Sequence, residues 1–294
     1  MKRILLAALA LLLMMTAYAA DFTDAKGRSV TLAAAPQRVI SLLGSYGEVW
    51  QEAGGTLIAT TEDAAQGEVL SLGSHSNPNM ELLLALNPDF VILSADTAAH
   101  PAVGELLESA GIPHGYFSMQ TWQGYLEMLK TFTEITGRDD LYATAEKTVQ
   151  QPIEDCIAAA RNHPDSGKKT ALLLRAYVTS VKAKGSEGTV AGPMLKDMGL
   201  VNIADSDSVL TENLTLEAIL AADPDWIFAV TMGEDQQGAE KMLEDALLSN
   251  PAWNTLTAVR EGRFVVLDRG LFHLRPNGRW AEAYEMLYEI VYED

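Results

Sequence analysis

Apolar positions alternate between two arrangements along the chain. In one they run together in short blocks: Val39-Ile40-Ser41-Leu42 after Arg38, Phe90-Val91-Ile92-Leu93, Tyr116-Phe117, Ala171-Leu172-Leu173-Leu174, Trp226-Ile227-Phe228-Ala229 and Phe264-Val265-Val266-Leu267. Blocks this uniform suit strands covered on both faces, the setting of a parallel sheet. In the other arrangement they recur every three or four residues between polar positions, the spacing of an amphipathic helix. Strand and helix in alternation predict an α/β fold.

The pattern also repeats. Met80-Glu81-Leu82-Leu83-Leu84-Ala85-Leu86-Asn87-Pro88-Asp89 before the Phe90 block returns as Leu216-Glu217-Ala218-Ile219-Leu220-Ala221-Ala222-Asp223-Pro224-Asp225 before the Trp226 block. Each copy reads as a helix opened by a glutamate, a Pro-Asp turn and a buried strand. The acid complements the positive end of the helix, and the proline with its preceding residue stops it. The repeat predicts two related lobes with mainly parallel sheets, residues 21–138 and 164–294. Between them, residues 139–163 carry an uninterrupted helical pattern from about Leu141 to Arg161, ended by Asn162-His163-Pro164. At 1.5 Å per residue this linker helix is a rod of roughly 30 Å. Pro152 lies inside it and is expected to kink or split it. At the other end of the second lobe, Trp280, Ala283, Tyr284, Leu287 and Val291 share one face of a closing helix.

The first residues follow neither arrangement. Lys2 and Arg3 precede an apolar run from Ile4 to Met15, and Thr16-Ala17-Tyr18-Ala19-Ala20 supplies small residues for cleavage. Residues 1–20 therefore read as a secretory signal, cut after Ala19 or Ala20. The run is shorter than the ~20 residues that span a bilayer, and no cysteine stands at the cut to carry a lipid. The expectation is a periplasmic or extracytoplasmic protein, soluble after cleavage. Charge narrows the partners: 21 Lys and Arg against 40 Asp and Glu give −19, and losing Lys2 and Arg3 makes it −21. Such a chain repels phosphate backbones, so nucleic acid is not a partner. Cys156 is the one cysteine, too few for an intramolecular disulfide or a structural zinc site; on the linker helix it reads as a small buried apolar residue.

No catalytic motif emerges. Gly44-Ser45-Tyr46-Gly47 and Gly185-Ser186-Glu187-Gly188 lack the glycine two before the serine that a nucleophile elbow requires, and Gly167-Lys168 has no glycine at P-loop distance. The histidines, His75, His100, His114, His163 and His273, never fall three to five apart, so a metal pair on one helix is absent. His100, His114 and His163 adjoin prolines and read as surface turn residues. Ligand-facing candidates are the positions just past strand ends, where α/β sheets bind small molecules. These are Tyr46 after Leu43, Ser94 after Leu93, Arg175 and Tyr177 after Leu174, and Met232 after Val230, together with Ser74 and His75 in the Gly73 to Asn79 loop and His273 and Arg275 beyond Leu267. Tyr177 and Met232 fit the core equally well. Arg175 and Arg275 at such positions in an acidic chain point to an anionic ligand, or to neighbouring carboxylates.

The signal segment, Pro36-Gln37-Arg38-Val39-Ile40-Ser41-Leu42, Leu72-Gly73 followed by Asn77-Pro78-Asn79-Met80-Glu81, Leu216-Glu217 with Pro224-Asp225, and the long mid-chain helix come in an order and spacing that resemble the substrate-binding proteins of iron-siderophore, haem and cobalamin ABC importers. The resemblance covers nearly the whole mature chain. It implies two Rossmann-like lobes joined by one long helix, little hinge motion, and a ligand held in the cleft between the lobes. It further implies that His75, six residues before the helix-opening glutamate, contacts ligand, that His273 occupies a position where relatives carry an aromatic or polar cleft residue, and that Glu81 and Glu217 dock onto basic residues of the permease.

Two functional classes follow. The first is a monomeric binding protein with no intrinsic cofactor that carries an iron complex, haem or ferric siderophore, to an ABC permease and its ATPase. His75 and His273 are then candidate iron ligands, reached through the bound complex, and cobalamin is the alternative cargo. Corrinoid clefts in the family are rich in tryptophan and these loops have none, which favours iron. The second is a secreted metal-dependent enzyme on the same duplicated scaffold, using His75, His273 and nearby carboxylates. The missing nucleophile and metal-pair motifs favour the binding protein.

Overall fold

The two copies of the repeat end their helices alike. Asn87 and Asp223, the residues before the prolines, both adopt left-handed backbone, with φ of 46° and 38°, a conformation that Asn and Asp tolerate better than other L-residues. The aspartates behind the prolines then grip the neighbouring strand. Asp89 accepts the backbone N–H groups of Gln37 and Arg38, each at 2.8 Å. Asp225 accepts the N–H and hydroxyl of Thr170 at 2.8 and 3.0 Å. Each Pro-Asp pair thus staples the strand it introduces to the strand beside it.

The computed structural model describes residues 20–293 apart from 213 and 234; the expected signal segment, save Ala20, lies outside the described residues. The chain divides into two compact units. One holds the described residues up to Met119 with Gln123–Thr144, the other Gln120–Trp122 with the described residues from Ala145 onward.

The first unit contains β1 (Ala20–Thr23), β2 (Ser29–Leu32), β3 (Val39–Ser41), β4 (Leu57–Thr60), β5 (Leu70–Ser71), β6 (Gly73–Ser74), β7 (Asn77–Pro78), β8 (Phe90–Ser94) and β9 (His114–Phe117). Its main sheet has the order β5-β4-β3-β8-β9, with every pair parallel. Strand order reverses between β3 and β8, so Ser41 and Ser94 end beside the switch point where open α/β sheets take ligands. Ile40, Leu42, Leu83, Val91, Leu93 and Leu107 form its core. The β1–β2 hairpin covers the β9 edge: Phe22 stacks on Phe117 with centroids 5.8 Å apart, and Asp24 accepts the Tyr116 N–H at 3.2 Å and the Arg28 guanidinium at 2.9 Å. A covered edge cannot pair with another chain.

The second unit contains β10 (Thr170–Tyr177), β11 (Ser180–Lys184), β12 (Val201–Asn202), β13 (Trp226–Thr231) and β14 (Phe264–Val266). The order is β11-β10-β13-β14, with β12 also pairing β10, and only the β10–β11 pair is antiparallel. Strand β10 continues past the apolar block that announced it, because Arg175 and Tyr177 pair with Lys182 and Ser180 of β11. Leu172, Leu174, Ile219, Ile227 and Ala229 lie at the core.

The long helix runs as Asp139–Ala145, a π-helical turn Glu146–Gln150, and Gln151–Asn162. Pro152 sits in the first turn of the last piece, where a missing N–H costs least. Ahead of it the Gln151 N–H reaches the Glu146 carbonyl, five residues back. The proline therefore splits the α-helical ladder without ending the rod. Its final piece packs on the closing helix Trp280–Tyr292, which buries Trp280, Ala283, Tyr284 and Leu287 as their spacing requires. Among the described residues, no helix is long and apolar enough to cross a membrane.

Candidate functional site

In the first unit the candidate site is built on the end of β8. Ser94 is buried there, and its hydroxyl accepts the Asp96 N–H at 3.1 Å. Its own N–H donates to Nδ1 of His100 at 2.7 Å. A backbone N–H can only donate, so that nitrogen is bare and the ring proton sits on Nε2, which faces the His75 carbonyl at 3.1 Å. His75 lies in the turn of the β6–β7 hairpin with its side chain exposed. Beside it the Ser74 and Ser76 hydroxyls are 3.3 Å apart. The base of the hairpin is tied down by Glu62 N–H to the Gly73 carbonyl and Asn79 N–H to the Leu72 carbonyl, at 3.0 and 2.7 Å. Tyr46 lies in the helix Gly44–Glu52 and is wholly buried.

The surface expectation for His100 and His114 is overturned: they are 0% and 7% exposed. Pro101 stands in the first turn of the helix His100–Ser109, and Pro113 leads into β9, whose first residue points inward. The adjoining prolines mark the starts of buried elements. His114 is satisfied by the Ile112 carbonyl at 3.1 Å and the Arg28 guanidinium at 2.9 Å. Burial holds both imidazoles below their ordinary pKa. His163 is half-buried against Tyr292, with ring centroids 4.3 Å apart.

In the second unit the candidates gather at the ends of β10 and β13, again at a reversal of strand order. Arg175 pairs across from Val230 and Lys182 inside β10, so it belongs to the strand rather than to the loop beyond it. Tyr177 closes β10, and the Lys182 ammonium lies 5.9 Å from its ring centre. Met232 is 7% exposed, and its N–H donates to the Ala176 carbonyl at 2.8 Å.

His273 caps the short helix Arg269–Phe272. Burial pushes its imidazole down to about 4, and the charges of Arg175, Arg269 and Arg275 push in the same direction. Nδ1 of His273 and Nε of Arg269 are buried without hydrogen-bond partners among the described residues. Neither Arg175 nor Arg269 forms an ion pair with a carboxylate among those residues. Arg269 was not among the sequence candidates, although it follows the Phe264 block by two residues. Asp268 fixes its position by accepting the Leu271 N–H at 3.0 Å. The charges of Arg175, Arg269 and Arg275 all reach the His273 imidazole, giving it a positive surrounding potential in a strongly acidic chain. That potential suits an anion, and the unprotonated ring keeps a lone pair for a metal.

Glu81 and Glu217 occupy equivalent places. Each is exposed in the first turn of its helix. The helices are capped alike, by Asn79 accepting the Leu82 N–H at 3.0 Å and Thr215 accepting the Ala218 N–H at 3.2 Å. Neither glutamate is in an ion pair among the described residues.

Comparison with known proteins gives a match of residues 30–270 to the family model described as periplasmic binding protein. The Fe(3+)-citrate-binding protein YfmC of Bacillus subtilis is 24% identical over 257 residues, 84% of this chain and 77% of that protein. A cobalamin-binding protein of Halobacterium salinarum is 28% identical over 216 residues, 69% of this chain and 56% of that one. Among solved structures, Staphylococcus aureus SirA complexed with staphyloferrin B has the same fold, with a TM-score of 0.70 at 18% identity over 93% of this chain and 97% of that one.

Proposed function

Because the chain belongs to the periplasmic binding protein family, we propose that it captures an anionic iron complex, a ferric siderophore or haem, and hands it to the permease of an ABC importer. The observation that carries this reading is that Arg175 and Arg269, whose charges reach His273, form no ion pair with a carboxylate among the described residues. Both are half-buried, and the Nε of Arg269 is enclosed without a hydrogen-bond partner among the described residues, a position that favours an incoming anion. Ser74 and His75 at the hairpin of the first unit, with Ser94, Tyr177, Met232 and His273 at the other strand ends, are the further ligand contacts in this reading. Tyr46 is a contact only where the ligand reaches its enclosed side chain. The neutral ring of His273 can bind iron left incompletely wrapped by its chelator, or haem iron axially. All five tryptophans are buried, between 1% and 7% exposed, which supports iron over a corrinoid.

The test is titration of the purified apo-protein with ferric citrate, hemin and cobalamin, followed by absorbance and intrinsic fluorescence. Binding of an iron complex is expected, weakened about tenfold to hundredfold by Arg175→Ala or Arg269→Ala, the effect of removing one charge-assisted hydrogen bond. Binding of cobalamin alone, or iron-complex binding indifferent to both substitutions and to His273→Ala, would overturn the reading.

A further inference from the structure

His100 is not among the ligand contacts, yet it joins two of the segments that carry them. Its side chain is enclosed and both ring nitrogens are committed, Nδ1 to the Ser94 N–H and Nε2 to the His75 carbonyl. These partners belong to different elements, the end of β8 and the turn of the β6–β7 hairpin. The hairpin has only two residues per strand, paired Gly73 with Pro78 and Ser74 with Asn77, and Pro78 brings no N–H to the ladder. Two such strands are too short to define their own position, so the contact at the turn matters. The residue supplying it is itself braced: the Tyr116 hydroxyl donates to the His100 carbonyl at 3.3 Å. Gly104 leaves room for that hydroxyl, because a Cβ there would lie 1.9 Å from it. Burial keeps the ring neutral, which leaves Nδ1 able to accept.

We infer that His100 is a positioning residue for ligand capture: by bridging the Ser94 N–H and the His75 carbonyl, it fixes the hairpin against the strand end and so sets where His75 and Ser74 are presented. The consequence for capture rests on the proposed role of His75; the bridge itself does not.

The bridge needs an acceptor and a donor side by side on one side chain. Glutamine offers both in its carboxamide, and leucine fills similar space with neither. Amide hydrogen exchange of the ligand-free protein and titration with ferric citrate and hemin are compared for the wild type, His100→Gln and His100→Leu. In His100→Leu, exchange at the Ser94 amide and across residues 73–78 should quicken at least about tenfold while the other β8 amides stay protected. Affinity for whichever probe the wild type binds should fall by about tenfold as well, and His100→Gln should restore both properties. Unchanged exchange over 73–78 in His100→Leu, or His100→Gln behaving like His100→Leu, overturns the inference. Should His100→Leu not fold, nitrogen-15 spectra of the wild-type imidazole decide: a bare Nδ1 with a protonated Nε2 supports the bridge, and the opposite tautomer overturns it. A wild type that binds neither probe overturns the functional reading alone, and ligand-free exchange still decides the bridge.

Discussion

His100, His114 and His273 are all held below the ordinary imidazole pKa of 6.5, first of all because burial disfavours the cation. In the unfolded chain they take up protons near 6.5, whereas in the folded chain they refuse them until the solution is more acidic. Between those limits the unfolded state binds more protons, so stability rises with pH. This contribution is complete above about pH 6.5 and is lost as the pH falls toward the folded value, about 4 for His273. Urea unfolding should therefore show a lower midpoint at pH 5 than at pH 7, and His273→Gln should narrow the gap. Equal midpoints at the two pH values would contradict the buried, neutral state of these rings. None of this was legible from single residues. A histidine beside a proline reads as a turn residue until the fold reveals that the proline opens a helix or leads into a strand.

The Pro-Asp turns were the most legible elements, because the repeat displays them twice, yet the sequence revealed only half of what they do. Periodicity locates a helix stop and a buried strand. It does not reveal that Asp89 and Asp225 reach back to strand starts 51 and 55 residues away. Asp225→Ala strands the N–H of Thr170 at the start of a central strand and should destabilise the protein by about 1–3 kcal/mol, with Asp89→Ala costing a similar amount. The check is the shift in denaturant midpoint at constant slope, and a shift near zero for both would show that water replaces the carboxylates freely. Several of the elements that escaped detection have a weak apolar pattern. Strand β11, Ser180–Lys184, sets only Val181 and Ala183 between polar residues at an edge, and the β1–β2 hairpin has strands of only four residues in which every second position is exposed. Missing β11 also shortened β10 and moved Arg175 from its strand into a loop. The candidate site was thus half legible, since strand ends can be read from apolar blocks, whereas the convergence of Arg269 on His273 depends on how a four-residue helix turns back.

Over the whole molecule, the repeat gives each unit one exposed glutamate at the same place on an equivalently capped helix. An acid in a first turn is ordinary, because it complements the helix dipole. Two at matched positions, one per unit and both without ion-pair partners among the described residues, also make a paired signal that a basic partner surface can read. We propose that Glu81 and Glu217 dock on the permease and take no part in holding ligand. Rim charges act on encounter and orientation, and their contribution weakens as salt is added. Reversing both, Glu81→Lys with Glu217→Lys, should abolish uptake by cells while leaving the affinity of the purified protein for ferric citrate or hemin unchanged. Each single reversal should leave partial uptake, since one matched charge remains. A large loss of solution affinity in the double variant would instead make these glutamates part of the ligand site. Uptake at the wild-type level would remove them from the interface altogether.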